Sequence, residues 1–141
     1  MPIKHAENLL DNPNNMSIKV LQIASFKGNI GDNANHMAFR PWFEGFFDDR
    51  VEWHEIEIRQ FYRGHLKWDE SIVEKINQFD ILIIGGGNYF ELWVEKSPTG
   101  TSVEIPLSLF EKIRIPIMFN SLGVDIGQGY SDRTLSRFKD F

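Results

Sequence analysis

The stretch Asp80-Ile81-Leu82-Ile83-Ile84-Gly85-Gly86-Gly87-Asn88 constrains the fold of this chain more than any other. Its branched apolar run is unbroken and short, which suits a strand buried on both faces, as in a parallel sheet. The three glycines that follow predict a loop in which backbone occupies the rim. Glycine admits positive φ and lets a ligand or a second backbone come close. In open α/β sheets, ligands bind just outside the carboxyl ends of the strands.

The same grammar recurs on either side. Ile18–Ala24 reads as a first strand, with Val20, Leu21, Ile23 and Ala24 buried. A glycine-rich turn, Gly28 to Asn33, follows it. Asp32 stands where a helix N-cap belongs, and Ala34, Met37 and Ala38 recur beyond it at helical spacing. Pro41 is expected to break or kink that helix, and Trp42, Phe43, Phe46 and Phe47 to pack on the sheet. Val51 to Ile58 alternates as a second strand, with a slip of phase near His54-Glu55. Asp69 opens an amphipathic helix carrying Ile72, Val73, Ile76 and Phe79 on one face. Tyr89 to Gly100 reads as a short helical segment and a turn, and a further helix is expected to start near Pro106. Ile115 to Asn120 is another buried strand. Gly123 to Gly129 is a third glycine-rich loop, and Asp132 opens a last helix.

Strand, glycine loop and helix in succession predict an α/β fold: a Rossmann-like, doubly wound, mostly parallel sheet with helices on both faces. Ile18–Ala24, Ile81–Ile84 and Ile117–Asn120 are expected to be neighbouring parallel strands. Residues 1–16 form a polar arm, and 17–141 one domain.

Composition removes several classes of function. With 15 Lys+Arg against 20 Asp+Glu and no long basic run, nucleic-acid binding is not expected. The absence of cysteine excludes disulfides and thiolate metal sites. No apolar run is long enough for a membrane span, and no secretory signal core is present, so a cytoplasmic protein without an integral membrane segment is expected. His5, His36, His54 and His65 show no metal-binding spacing.

The chemistry-bearing candidates lie in the three glycine-rich stretches. Gly28, Asn29, Gly31, Asp32 and Asn33 form the first; it has neither the lysine of a phosphate-binding P-loop nor the spacing of a dinucleotide site. Asp32 either caps the helix or accepts a proton or hydrogen bond from a ligand hydroxyl. The second stretch is Gly85, Gly86, Gly87 and Asn88. The third contributes Gly123, Asp125 and Gln128. His36 follows Asp32 by one helical turn, and Tyr89, Phe90 and Trp93 serve either as core or as a sugar-stacking patch.

Taken together, Gly28-Asn29-Ile30-Gly31-Asp32, the run Asp80 to Asn88, and Ile117-Met118-Phe119-Asn120-Ser121-Leu122-Gly123-Val124 with Gly127-Gln128-Gly129 resemble the polysaccharide pyruvyl transferase family. The resemblance runs from about Ile18 onward. It implies one half of a GT-B-like fold of two Rossmann-like halves, and transfer of pyruvate from phosphoenolpyruvate to a pair of sugar hydroxyls as a cyclic ketal. It implies Asp32 as the catalytic candidate, the glycine-rich stretches as the saccharide-binding surface, and no cofactor beyond the donor substrate. Family members run to roughly twice this length, in line with two domains of ordinary size. The chain is therefore expected to be the N-terminal, acceptor-side half, with its second domain and the phosphoenolpyruvate site missing. Phosphoenolpyruvate needs a convergent cationic clamp, and only Arg59 and Arg63 come near one in the sequence. The alternatives are half of a sugar-nucleotide glycosyltransferase of the same architecture, or a non-catalytic module that binds a glycan or a partner domain. Within this picture Gly86 is expected to leave room for the ligand.

Overall fold

The computed structural model describes residues 17–27 and 30–140. The polar arm, Gly28 and Asn29 lie outside the described residues. A four-stranded sheet holds β1 (Ile18–Ala24), β2 (Val51–Glu57), β3 (Ile81–Glu91) and β4 (Ile117–Asp125) in the order β2-β1-β3-β4, with every pair parallel. The expected neighbourhood of β1, β3 and β4 is therefore present, and the chain is an α/β fold. Helices α1 (Ile30–Glu44), α2 (Arg59–Tyr62), α3 (Glu70–Ile76), α4 (Leu107–Phe110) and α5 (Asp132–Asp140) alternate with the strands.

Side-chain alternation along the central strands sends two cores to opposite faces. Ile18 and Val20 of β1 and Ile83 of β3 meet Phe39 and Phe43 of α1. Leu21 and Ile23, with Leu82 and Ile84, meet Phe61 of α2 and Ile72 and Ile76 of α3. Helices thus cover both faces. From β1 the chain moves out to β2, then returns past β1 to β3. The direction of winding changes between β1 and β3, and in such sheets a crevice opens at that point.

Helix α1 departs from its sequence reading in three ways. It begins at Ile30, so Asp32 lies inside the first turn rather than at the cap. Its buried face is His36, Phe39 and Phe43, whereas Met37 is 78% exposed. It also continues through Pro41. Proline removes only one N–H, on the solvent side of the helix, while Phe39 and Phe43 hold the other side on the sheet; tertiary burial outweighs the local penalty. Beyond it, Phe43 and Phe47 pack on the sheet as expected, but Trp42 and Phe46 remain more than half exposed.

Helix α3 begins as its sequence predicts. The Asp69 carboxylate accepts from the N–H groups of Ser71 and Ile72 at 3.0 and 3.2 Å. The Ser71 hydroxyl and these N–H groups hold the Asp69 carboxyl below its usual range. Asp69→Ala is expected to lower the thermal midpoint, and Asp69→Asn to keep most of it. Because the folded value is depressed, the cap contributes fully above the ordinary carboxylate pKa of about 3.9 and fades as pH falls through the lower folded value. The gap between wild type and Asp69→Ala in thermal melts should therefore close in acid.

Strand β3 is longer than its apolar run. The glycines expected in a loop are strand residues, and Tyr89 to Glu91 continue the strand instead of starting a helix. Strand β4 likewise extends through Gly123 to Asp125. Gly85 faces Asn120, Gly87 faces Leu122 and Phe90 faces Val124, so β3 carries one residue more than β4 over the last interval. This bulge explains why Tyr89 and Phe90, adjacent in sequence, both pack on the same core. Among the described residues no helix is long and apolar enough to cross a membrane.

Candidate functional site

A cleft of about 620 Å³ opens at the carboxyl ends of β1, β3 and β4, at the change of winding. Its floor is Ser25, just past β1, with Gly87, Asn88 and Tyr89 of the bulged part of β3. One wall is the first turn of α1, with Gly31, Asp32 and Asn35; Arg59 and Tyr62 of α2 stand beside it. The other wall is Ser121, Leu122 and Gly123 of β4. Glu91 and Ser102 close the far end.

Gly31, Asp32, Gly87, Asn88 and Gly123, expected from three separate stretches, thus meet in one cleft. Asn33, Gly85, Gly86, Asp125 and Gln128 do not line it. Asp125 accepts from the Gly127 N–H at 2.6 Å and serves a local turn. Gln128 is exposed in the loop beyond β4. Gly85 has φ +148°, and a Cβ there would lie 1.8 Å from the Asn120 carbonyl oxygen. Its glycine lets two strands approach, not a ligand. Gly86, expected to leave room for ligand, has φ +98° and faces the other way: its Cβ would meet the His36 ring at 2.4 Å. Gly87 is the glycine that opens the cleft, since a Cβ there would reach within 3.1 Å of Asp32 Oδ1 and 2.8 Å of the Tyr89 ring.

Asp32 does not pair with His36. The carboxylate is turned instead toward Arg59, with Oδ2 at 4.0 Å from Nη2, and only 13% of its side chain is exposed. His36 is buried in a chain of hydrogen bonds beneath the cleft. Its Nε2 lies 3.1 Å from the Ser25 carbonyl oxygen, and its Nδ1 lies 3.0 Å from Gln22 Nε2. A carbonyl only accepts, so Nε2 carries the hydrogen and Nδ1 accepts from the Gln22 amide. The Gln22 carbonyl oxygen in turn accepts from Arg40 Nε and Nη2 at 3.0 and 2.7 Å. His36 is thus a fully used structural group.

Tyr89 belongs to the core at 6% exposure, and its phenol oxygen accepts from the Ser25 N–H at 2.5 Å. Burial pushes its pKa far up, so it stays a neutral phenol. Burial also raises Tyr62, against the lowering pull of Arg59 and Arg63. The Ser25 hydroxyl, by contrast, is buried at the cleft floor with no hydrogen-bond partner among the described residues. Ser121, on the opposite wall, is a non-glycine residue at φ +50°. Backbone strain of this kind clusters at binding sites.

The sequence sets Arg59 and Arg63 close together but gives no sign that Lys27 joins them. The β1/β2 register joins Ala24 to Glu57, so the segments just past those strands must run side by side. The result is a second pocket of about 340 Å³, lined by Lys27, Arg59 and Arg63 around Glu57, which adds Lys27 to the two arginines that lie close in the sequence. Arg59 lines both pockets. The only local signal for this arrangement is that both segments follow strands.

The cleft interleaves carboxylates (Asp32, Glu91), side-chain amides (Asn35, Asn88), hydroxyls (Ser25, Tyr62, Ser102, Ser121) and one guanidinium. Such a lining both donates and accepts, which suits a polyhydroxylated ligand. Among the described residues no group of His, Cys, Asp and Glu is arranged to hold a metal ion. The chain matches no protein-family model, no curated protein and no solved structure.

Proposed function

We propose that the cleft binds a saccharide, and that the chain is the Rossmann-like acceptor side of a polysaccharide pyruvyl transferase-like enzyme working in the cytoplasm. The observation that carries this reading is the meeting of Gly31 and Asp32, Gly87 and Asn88, and Gly123 around one hydroxyl-rich cleft. These residues come from the three stretches on which the family resemblance rests. In the proposed reaction a base takes the proton of one sugar hydroxyl, whose oxygen bonds to C2 of the enolpyruvyl group while C3 gains a proton. A neighbouring hydroxyl then bonds to the same carbon as the C–O bond to phosphate breaks, its proton passing to the departing phosphate, which closes the ketal. Asp32 is the group for orienting or deprotonating the acceptor hydroxyl. The donor's carboxylate and phosphate would be held by a partner domain, as the half of a GT-B-like fold implies.

The test is saccharide-observed NMR with this chain and a panel of neutral mono- and disaccharides. Ring-proton saturation transfer is expected with at least one of them, and Asp32→Asn should weaken it by roughly tenfold, the scale of one charge-assisted hydrogen bond. Absence of transfer from every saccharide would overturn the acceptor reading. Saccharide binding without ketal formation, once a donor domain and phosphoenolpyruvate are supplied, would leave a glycan-binding module instead.

A further inference from the structure

The chain carries a formal charge of −5, yet three cations line the small pocket beside the cleft. Among the described residues Glu57 is the carboxylate that lines this pocket, and it is already engaged. Its Oε2 accepts from the N–H groups of Phe26 and Lys27 at 2.9 and 3.2 Å, and its Oε1 lies 3.4 Å from Arg59 Nη1. The Arg59 guanidinium also donates to the Lys27 carbonyl oxygen, which fixes the segment after β1 against α2. Among the described residues neither Lys27 nor Arg63 forms an ion pair. The pocket therefore concentrates more positive charge than the carboxylates of the described residues offset there.

From this arrangement we infer that the saccharide bound in the cleft carries an anionic group, a phosphoryl ester or a carboxylate, seated between Lys27, Arg59 and Arg63. The inference rests on the saccharide reading of the cleft and names the class of sugar it takes. Arg59 is the hinge of the argument. It borders the cleft on its Asp32 side and the basic pocket on its Lys27 side, so a ring lying over Asp32 and Asn88 directs a substituent toward the cations. A planar guanidinium grips a carboxylate or phosphate oxygen pair, and Lys27 and Arg63 add charge from either side. The cleft itself supplies two carboxylates and one guanidinium, so it takes the neutral, hydroxyl-bearing part of the ligand.

Calorimetric titration of this chain with glucose, glucose 1-phosphate, glucuronate and inorganic phosphate tests the inference, repeated with the galactose series. At least one anionic sugar is expected to bind 10-fold or more tightly than its neutral parent, with about that advantage lost between roughly 50 and 500 mM salt. The double variant Lys27→Gln, Arg63→Gln keeps the backbone contacts of both residues. It should bring charged and neutral sugars to within about twofold of each other while leaving neutral binding unchanged. The phosphate and uronate arms identify which anion is preferred. Equal binding of charged and neutral sugars by the wild type, or a preference that survives the double variant, would overturn the inference and leave the saccharide reading standing. Inorganic phosphate binding with no sugar bound at all would overturn both.

Discussion

Gly85→Ala is expected to cost about 3–4 kcal/mol of folding stability, the sum of overpacking and left-handed strain. Urea unfolding reads this as a lowered midpoint with an unchanged slope. The cause is the close approach of β3 to β4. Gly85 pairs with Asn120, and the added methyl would lie 1.8 Å from that residue's carbonyl oxygen, an atom of the neighbouring backbone that cannot rotate away. The backbone at φ +148° adds strain of its own. Gly86→Val should follow with a similar loss, because its side chain would strike the buried His36 ring. Gly87→Ala is the control. Its methyl faces the Asp32 carboxylate and the edge of the Tyr89 ring, and it should cost about 1 kcal/mol while narrowing the cleft. A Gly85→Ala variant as stable as the Gly87→Ala variant would mean that β3 and β4 are not paired in this register.

Gln22→Leu should cost about 2–4 kcal/mol although it places an apolar residue in an apolar core. Gln22 is fully buried in the middle of β1. Its amide supplies the hydrogen that His36 Nδ1 needs, and its carbonyl oxygen receives two N–H bonds from Arg40. Leucine orphans the imidazole nitrogen and leaves the Arg40 guanidinium with Glu55 at 2.7 Å and the face of Trp53 at 4.7 Å. A double-mutant cycle with His36→Ala should show a coupling of about 1–2 kcal/mol, since either change alone already strands the partner. Additive losses would mean that the two side chains do not share a bond. The same chain of bonds reaches the Ser25 carbonyl, so the loss should extend to the floor of the cleft.

The corrected role of Gly86 changes how a loss of function should be read. A substitution there acts through His36 and the seat of α1, not through the ligand. Asp32→Asn and the Lys27/Arg63 pair are cleaner probes, because those side chains face the cleft or the basic pocket.

The sequence alone determined the buried cores of the strands and one capped helix of this protein. Ile18–Ala24 and Ile81–Ile84 are short apolar runs, and burial on both faces is the state that removes such runs from water. Asp69 and the spacing of Ile72, Val73 and Ile76 specify α3 because a cap and a helical stripe are local properties. Part of the candidate site was legible as well: Asp32, Gly87, Asn88 and Gly123 follow the apolar runs of β1, β3 and β4, on the carboxyl side where a parallel sheet gathers its crevice. Only the tertiary structure decided the rest. Whether Pro41 ends α1 depended on what Phe39 and Phe43 bury, and the direction each glycine faces depended on Asn120, His36 and Asp32, residues distant in the chain. Lys27 and Arg59 became neighbours through the pairing of Ala24 with Glu57. Backbone geometry and capping act over a few residues and leave a mark in the local sequence. Packing, charge convergence and the shape of a cleft arise between segments dozens of residues apart, and no single segment records them.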